Sequence, residues 1–140
     1  MKLVIYTDGA SRGNPGLSSY GFIVQDAGGK LLHKEGRYIG ITTNNVAEYS
    51  AVLQAFRYVL NHFKPALTTL NFYLDSRLVV EQLSGRFKIK KEHLKILFLQ
   101  IRNLENAFKQ VTYQHVVRAK NTLADRLANQ ALDARLKSAD

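Results

Sequence analysis

The chain has 140 residues and no cysteine, which excludes a disulfide framework and a thiolate metal site. No apolar run approaches the about 20 residues of a bilayer span, and the N-terminus lacks the basic-then-apolar pattern of a secretory leader. A single cytoplasmic domain over residues 1–140 is therefore expected, without a membrane partner. Lys and Arg number 20 against 11 Asp and Glu, and a surplus of +9 makes a polyanion, nucleic acid first, the partner to consider.

In chain order, Lys2–Gly9 reads as a first strand, with Asp8 at its exposed end. A stretch of small residues follows, and Asn14-Pro15-Gly16 within it is strong turn chemistry. Tyr20–Asp26 and Lys30–Ile39 read as the second and third strands, and Gly28-Gly29 between them as a tight hairpin turn. The three form an antiparallel meander. Val46, Tyr49, Leu53, Phe56, Leu60 and Phe63 then recur at helical spacing. Thr43 or Asn44 can cap that helix and Pro65 stops it. Leu67–Leu74 reads as a fourth strand, ending at Asp75, and Ser76–Leu83 as a short helix broken by Gly85. Lys91–Phe108 is a longer helix with Leu94, Leu97, Phe98, Ile101, Leu104 and Phe108 as its stripe. Val111–Val117 is the fifth strand; its alternation puts Val111, Tyr113, His115 and Val117 on one side, so His115 reads as structural. Asn121–Leu136 is the last helix, capped by Asn121, with Leu123, Leu127 and Ala131 on one side. The order β-β-β-α-β-α-α-β-α implies an α/β fold with a five-stranded mixed sheet and helices on both faces.

Four acids fall at element ends. Asp8 and Asp75 each close an apolar strand, where a sheet's interior meets solvent and sites form. Glu48 and Asp125 sit near the N-termini of the first long helix and the last helix. Each has a local explanation: a helix dipole for Glu48 and Asp125, a cap for Asp75, a turn for Asp8. Together in one cleft they would repel and raise one another's pKa values. A hard divalent cation removes that conflict, takes oxygen ligands and supports phosphodiester cleavage.

The motifs YTDGASRGNPG, TTNNVAEYSAV, LDSRLVVEQL and NTLADRLAN, in this order, resemble the type 1 ribonuclease H family over essentially the whole chain. The resemblance implies a ribonuclease H-like fold and hydrolysis of the RNA strand of RNA–DNA hybrids, leaving a 3′-hydroxyl and a 5′-phosphate. It implies two Mg²⁺ or Mn²⁺ ions held by Asp8, Glu48, Asp75 and Asp125. Gly9, Ala10, Ser11 and Asn14 would lie along the RNA and read its 2′-hydroxyls. Thr43 would hold a DNA phosphate, Asn44 would contact RNA, and Asn45 would lie in the DNA groove.

The chain departs from part of the pattern. A basic insertion found in some members is missing after the short helix, an arrangement that resembles the archaeal-like branch. Lys90 stands in place of the relatives' Asn in the DNA-phosphate pocket. Arg86, Lys88, Lys90, Lys91 and Lys95 are the densest basic stretch and suit a phosphate backbone. The loop before Asp125 reads Arg118-Ala119-Lys120-Asn121 and lacks the histidine of many bacterial members, which leaves Arg118 as the candidate for its electrostatic role. His33, His62 and His93 receive no role. The expected protein is a monomer acting on an RNA–DNA hybrid, with double-stranded RNA left open as a second substrate.

Overall fold

The computed structural model describes residues 1–138; the last two residues of the expected domain lie outside the described residues. Strand β1 (Lys2–Gly13) occupies the centre of a five-stranded mixed sheet. On one side it pairs antiparallel with β2 (Gly16–Asp26), which pairs antiparallel with β3 (Leu31–Thr42). On the other it pairs parallel with β4 (Thr69–Leu74), which pairs parallel with β5 (Gln110–His115). The helices are α1 (Asn44–His62), α2 (Arg77–Leu83), α3 (Glu92–Glu105) and α4 (Thr122–Ser138). Element order and mixed sheet are those expected.

The two long helices that touch the sheet take opposite faces. Asp8 is the cross-strand partner of Gly21, and a Cβ on Gly21 would lie 2.3 Å from the Ala124 carbonyl oxygen of α4. The next residue along β1, Gly9, abuts α1 instead, and neighbouring strand residues face opposite ways. With both faces covered, β2 is buried without interruption from Ser18 to Val24. The core is apolar and rich in rings: Tyr49, Phe22, Phe56 and Phe72 are fully buried, and Phe56 and Phe72 lie 4.8 Å apart between centroids.

Several expected details change, each for a nonlocal reason. β1 does not stop at Gly9, because Ala10, Ser11 and Arg12 pair with Ser19, Ser18 and Leu17. Residues 9–16 therefore form a β-hairpin rather than a loose turn, and β2 begins at Gly16. β4 begins at Thr69, since Pro65–Leu67 wind into a 3₁₀ turn closed by the Thr68 amide on the Pro65 carbonyl at 3.0 Å. α3 ends at Glu105, where the Ala107 and Phe108 amides turn back onto Leu104 and Glu105.

β5 ends at His115, opposite Leu74, the last paired residue of β4. His115 is exposed there rather than structural, and Val117 lies outside the strand, 56% exposed. The inner face of α4 is Ala124, Ala128 and Leu132, with Leu123, Leu127 and Ala131 flanking it. Gly21 and its partner Gly36 admit the helix backbone so closely that small residues fill the contact. α1 buries Ala47, Ala51 and Ala55 as well as its larger residues, because it is packed between the sheet and α3.

Candidate active site

Two acids emerge side by side from the central strands. The parallel pairing of β1 with β4 ends at Thr7 opposite Leu74, so Asp8, the next residue of β1, stands beside Asp75, the first residue after β4. Both strands run the same way, and their carboxylates leave the sheet at one edge.

Glu48 arrives from the facing helix. Thr43 caps α1 through its hydroxyl, which accepts from the Val46 amide at 3.3 Å. Glu48 lies in the second turn. The helix reaches the sheet because residue 9 is glycine: a Cβ there would sit 2.4 Å from the Ala47 carbonyl carbon and the Glu48 amide nitrogen. Ligating oxygens of Asp8, Glu48 and Asp75 all fall within 4.8 Å of one another.

The fourth acid, Asp125, stands in the first turn of α4. Asn121, just before that helix, is buried and donates from Nδ2 to the Thr7 carbonyl at 2.8 Å, pinning the helix start beside Asp8. Asp8, Glu48, Asp75 and Asp125 line one cavity of about 490 Å³, together with Gly9, Ala10, Ser11, Asn44, Asn45, Ser76 and Arg118.

These carboxylates are poorly compensated. Asp8 is 4% exposed and Glu48 8%. Burial, followed by the negative charges of Glu48 and Asp75, pushes the Asp8 carboxyl far above the usual carboxylate range. Burial and then the Asp75 charge raise Glu48 as well, against a smaller opposing contribution from hydrogen bonds, one of them from the Gly9 amide. Glu48 Oε2 and Asp75 Oδ2 are buried without a hydrogen-bond partner. The nearest guanidinium, Arg118, has its Nε 4.0 Å from Asp75 Oδ2 but is 86% exposed, so solvent screens most of its charge. Three converging carboxylates, two of them with an orphaned buried oxygen, and no buried counter-charge among the described residues fit a hard divalent cation.

A larger cavity of about 660 Å³ lies between α2, α3 and the start of β5. Its carboxylate, Glu105, already accepts from Arg102 at 2.7 Å and from the Tyr113 hydroxyl at 2.5 Å. No unpaired acid is left there to do chemistry, so the smaller cavity is the candidate site.

The other expected residues divide. Gly9, Ala10, Ser11, Asn44, Asn45 and Arg118 line the site cavity. Thr43 and Asn14 stand just outside it; Asn14 Oδ1 accepts from the Asn44 amide at 3.1 Å and ties the hairpin tip to the start of α1. Ser11 is committed at the hairpin, its hydroxyl donating to the Gly13 carbonyl and lying 3.3 Å from the Thr42 carbonyl oxygen of β3. Lys90 is exposed before α3 and outside the cavity lining. Sequence reasoning missed Ser76, which lines the cavity while accepting from the Val79 amide, and Asn129, which bonds Asp125. Asn129 had a readable signal, its position four residues after Asp125.

A family model described as reverse transcriptase-like matches residues 6–131. The bifunctional protein Rv2228c of Mycobacterium tuberculosis is 44% identical over 140 residues, 99% of this chain but 38% of its own length. The chain thus spans well under half of that relative. A ribonuclease H of Chromohalobacter salexigens is 32% identical, with 94% of this chain and 85% of that protein covered. Among solved structures, LC11-RNase H1 in complex with an RNA/DNA hybrid superposes with a TM-score of 0.90 at 38% identity, covering 96% of this chain and 99% of that one. The family match over residues 6–131, the 32% identity to a ribonuclease H covered over 85% of its length and the superposition at a TM-score of 0.90 agree, and the chain belongs to the ribonuclease H family.

Proposed function

We propose that the protein is an endoribonuclease that hydrolyses the RNA strand of RNA–DNA hybrids, using two Mg²⁺ or Mn²⁺ ions and leaving 3′-hydroxyl and 5′-phosphate ends. The observation that carries this reading is the trio of buried carboxylates, Asp8, Glu48 and Asp75, converging within 4.8 Å. The complex of LC11-RNase H1 with an RNA/DNA hybrid supports the substrate.

In this reading Asp8 and Asp75 are the central ligands, with Glu48 and Asp125 to either side. Divalent ions held there would activate the attacking water and stabilise the leaving oxygen. Gly9–Ser11 offer backbone along the cavity wall for the RNA strand, whose 2′-hydroxyls distinguish it from DNA. Asn44 and Asn45, at the N-terminus of α1, belong to the same wall. Asn14 holds the hairpin against that helix end. Thr43 and Lys90 face the DNA strand in this reading. Arg118, exposed and next to Asp75, supplies positive charge at the mouth of the site.

The test is a cleavage assay on three labelled substrates, an RNA–DNA hybrid, a double-stranded RNA and a single-stranded RNA, each with Mg²⁺, Mn²⁺ or EDTA. Metal-dependent cutting of the hybrid's RNA strand is expected. Comparable cutting of double-stranded RNA would widen the substrate class. Tight hybrid binding with no cutting in either metal would overturn the reading in favour of a binding module.

A further inference from the structure

Oxygens of three of the four acids lie within 4.8 Å of one another, and Asp125, whose side chain reaches Asp8, has a further partner outside that group. One turn further along α4, Asn129 Nδ2 lies 3.0 Å from the Asp125 carbonyl oxygen and 3.3 Å from its Oδ1. On the other side of the same amide, Asn129 Oδ1 accepts from Arg12 Nη2 at 3.4 Å. That guanidinium nitrogen also pairs with Asp133 Oδ1 at 2.8 Å. Asp125, Asn129 and Asp133 therefore stand at successive turns of α4, and Arg12 spans the last two.

The partners leave the amide one orientation. Flipped, Asn129 would press its oxygen against two acceptors of Asp125 and its NH₂ against a guanidinium. The bond to the helix carbonyl anchors the side chain, so the second N–H is presented to the Asp125 carboxylate from a fixed position. Arg12 follows Ser11, which lines the cavity, on the central strand. The chain of contacts thus runs from the strand that forms the cavity wall to the fourth carboxylate.

We propose that Asn129 is a positioning residue for Asp125, itself oriented by Arg12, so that the β1–β2 hairpin sets the aim of the fourth acid. Without the amide, the Asp125 carboxylate can turn about its own side-chain bonds and away from the other three. The catalytic consequence rests on the metal-dependent hydrolysis proposed above. The binding consequence rests only on Asp125 as a metal ligand, the part of that reading that calorimetry tests without substrate.

A double-mutant cycle separates this from a general structural role. Mn²⁺ is titrated calorimetrically into the substrate-free protein, its Asn129→Ala and Asp125→Asn variants, and the double variant. Asn129→Ala is expected to weaken Mn²⁺ binding roughly 10-fold, the usual effect of losing a group that orients a ligand, and to add nothing further once Asp125 is Asn. Its kcat for hybrid cleavage falls with KM unchanged. Asn129→Leu, of similar size and without the donor, repeats the result should the Ala variant fold poorly. Mn²⁺ affinity equal to the parent's, or a loss of the same size in both backgrounds, would overturn the proposal. A parent protein that cuts no hybrid would instead overturn the proposed function, while the calorimetric cycle would still decide the role of Asn129. Arg12→Ala is expected to shift the same constant in the same direction by a smaller factor; an unchanged constant removes Arg12 from the chain of contacts.

Discussion

A buried acid without a buried base is the most informative residue-scale feature of this protein. Asp8 and Glu48 have their pKa values raised by burial first and by neighbouring negative charge second. Groups raised in the folded state bind protons more tightly there than in the unfolded chain. Their contribution to stability is therefore present at low pH and lost as pH rises from the ordinary carboxylate range toward the raised values. In EDTA, the melting temperature of the parent protein is expected to fall between pH 5 and pH 8 more steeply than that of Asp8→Asn, which removes one charge from the cluster. At pH 8 Asp8→Asn should be the more stable of the two, and Mn²⁺ should raise the parent's melting temperature selectively. Parallel melting profiles for the two proteins would mean that the acids are not coupled as their proximity requires. Asp8 and Asp75 were legible in the sequence because each follows an apolar run, a local signal, although β1 continues past Asp8 to Gly13. The network beyond them was not: Arg12 and Asn129 are 117 residues apart, and nothing local marks their contact.

At the scale of elements, two close approaches build the site. Gly9 admits α1, and Gly21 with Gly36 admits α4. A methyl at position 21 would sit 2.3 Å from the Ala124 carbonyl oxygen and 2.8 Å from the Ala128 amide, backbone atoms that cannot turn aside. Gly21→Ala is therefore expected to destabilise the fold by about 1–3 kcal/mol, the usual cost of overpacking, and to shift α4, with Asp125 on it, off the sheet. Urea unfolding measures the first effect. A change below about 0.5 kcal/mol, the range of a neutral surface substitution, would show that the helix is not seated as closely as its backbone contacts indicate. These glycines explain what sequence patterning left out. Helical periodicity identified α4 and put Leu123, Leu127 and Ala131 on one side; the glycine slots in β2 and β3 rotate Ala124 and Ala128 inward. The hairpin was hidden for a related reason. Ala10–Gly16 is small and polar, which reads as loop, and its strand character comes from pairing with β2.

For the whole molecule, the surplus of positive charge matters through where it is left unpaired. Arg86 is engaged by Glu81 at 2.6 Å and Lys95 by Glu92 at 3.1 Å. Lys88, Lys90 and Lys91 have no acid within ion-pair distance among the described residues, and all three are exposed in the segment leading into α3. Their charge is available to a phosphate backbone. Replacing Lys88, Lys90 and Lys91 with Gln should weaken hybrid binding and flatten its salt dependence, by roughly one unit of log–log slope for each phosphate that these lysines neutralise. An unchanged slope would place the hybrid on another face. The α/β order was readable from periodicity and turn residues. The convergence of four acids from β1, β4, α1 and α4 required the sheet order β3-β2-β1-β4-β5, which brings strands distant in sequence into contact.

The most direct measurement is single-turnover cleavage of a labelled RNA–DNA hybrid in Mg²⁺ by the parent protein and by Asp75→Asn, with circular dichroism to verify that the variant is folded. If the carboxylate cluster holds the metal that drives hydrolysis, the folded variant loses cleavage by more than about 1,000-fold, some 4 kcal/mol of transition-state stabilisation. A folded Asp75→Asn variant that cuts the hybrid within about tenfold of the parent's rate, roughly 1.4 kcal/mol, would contradict the assignment and move the chemistry away from this edge of the sheet.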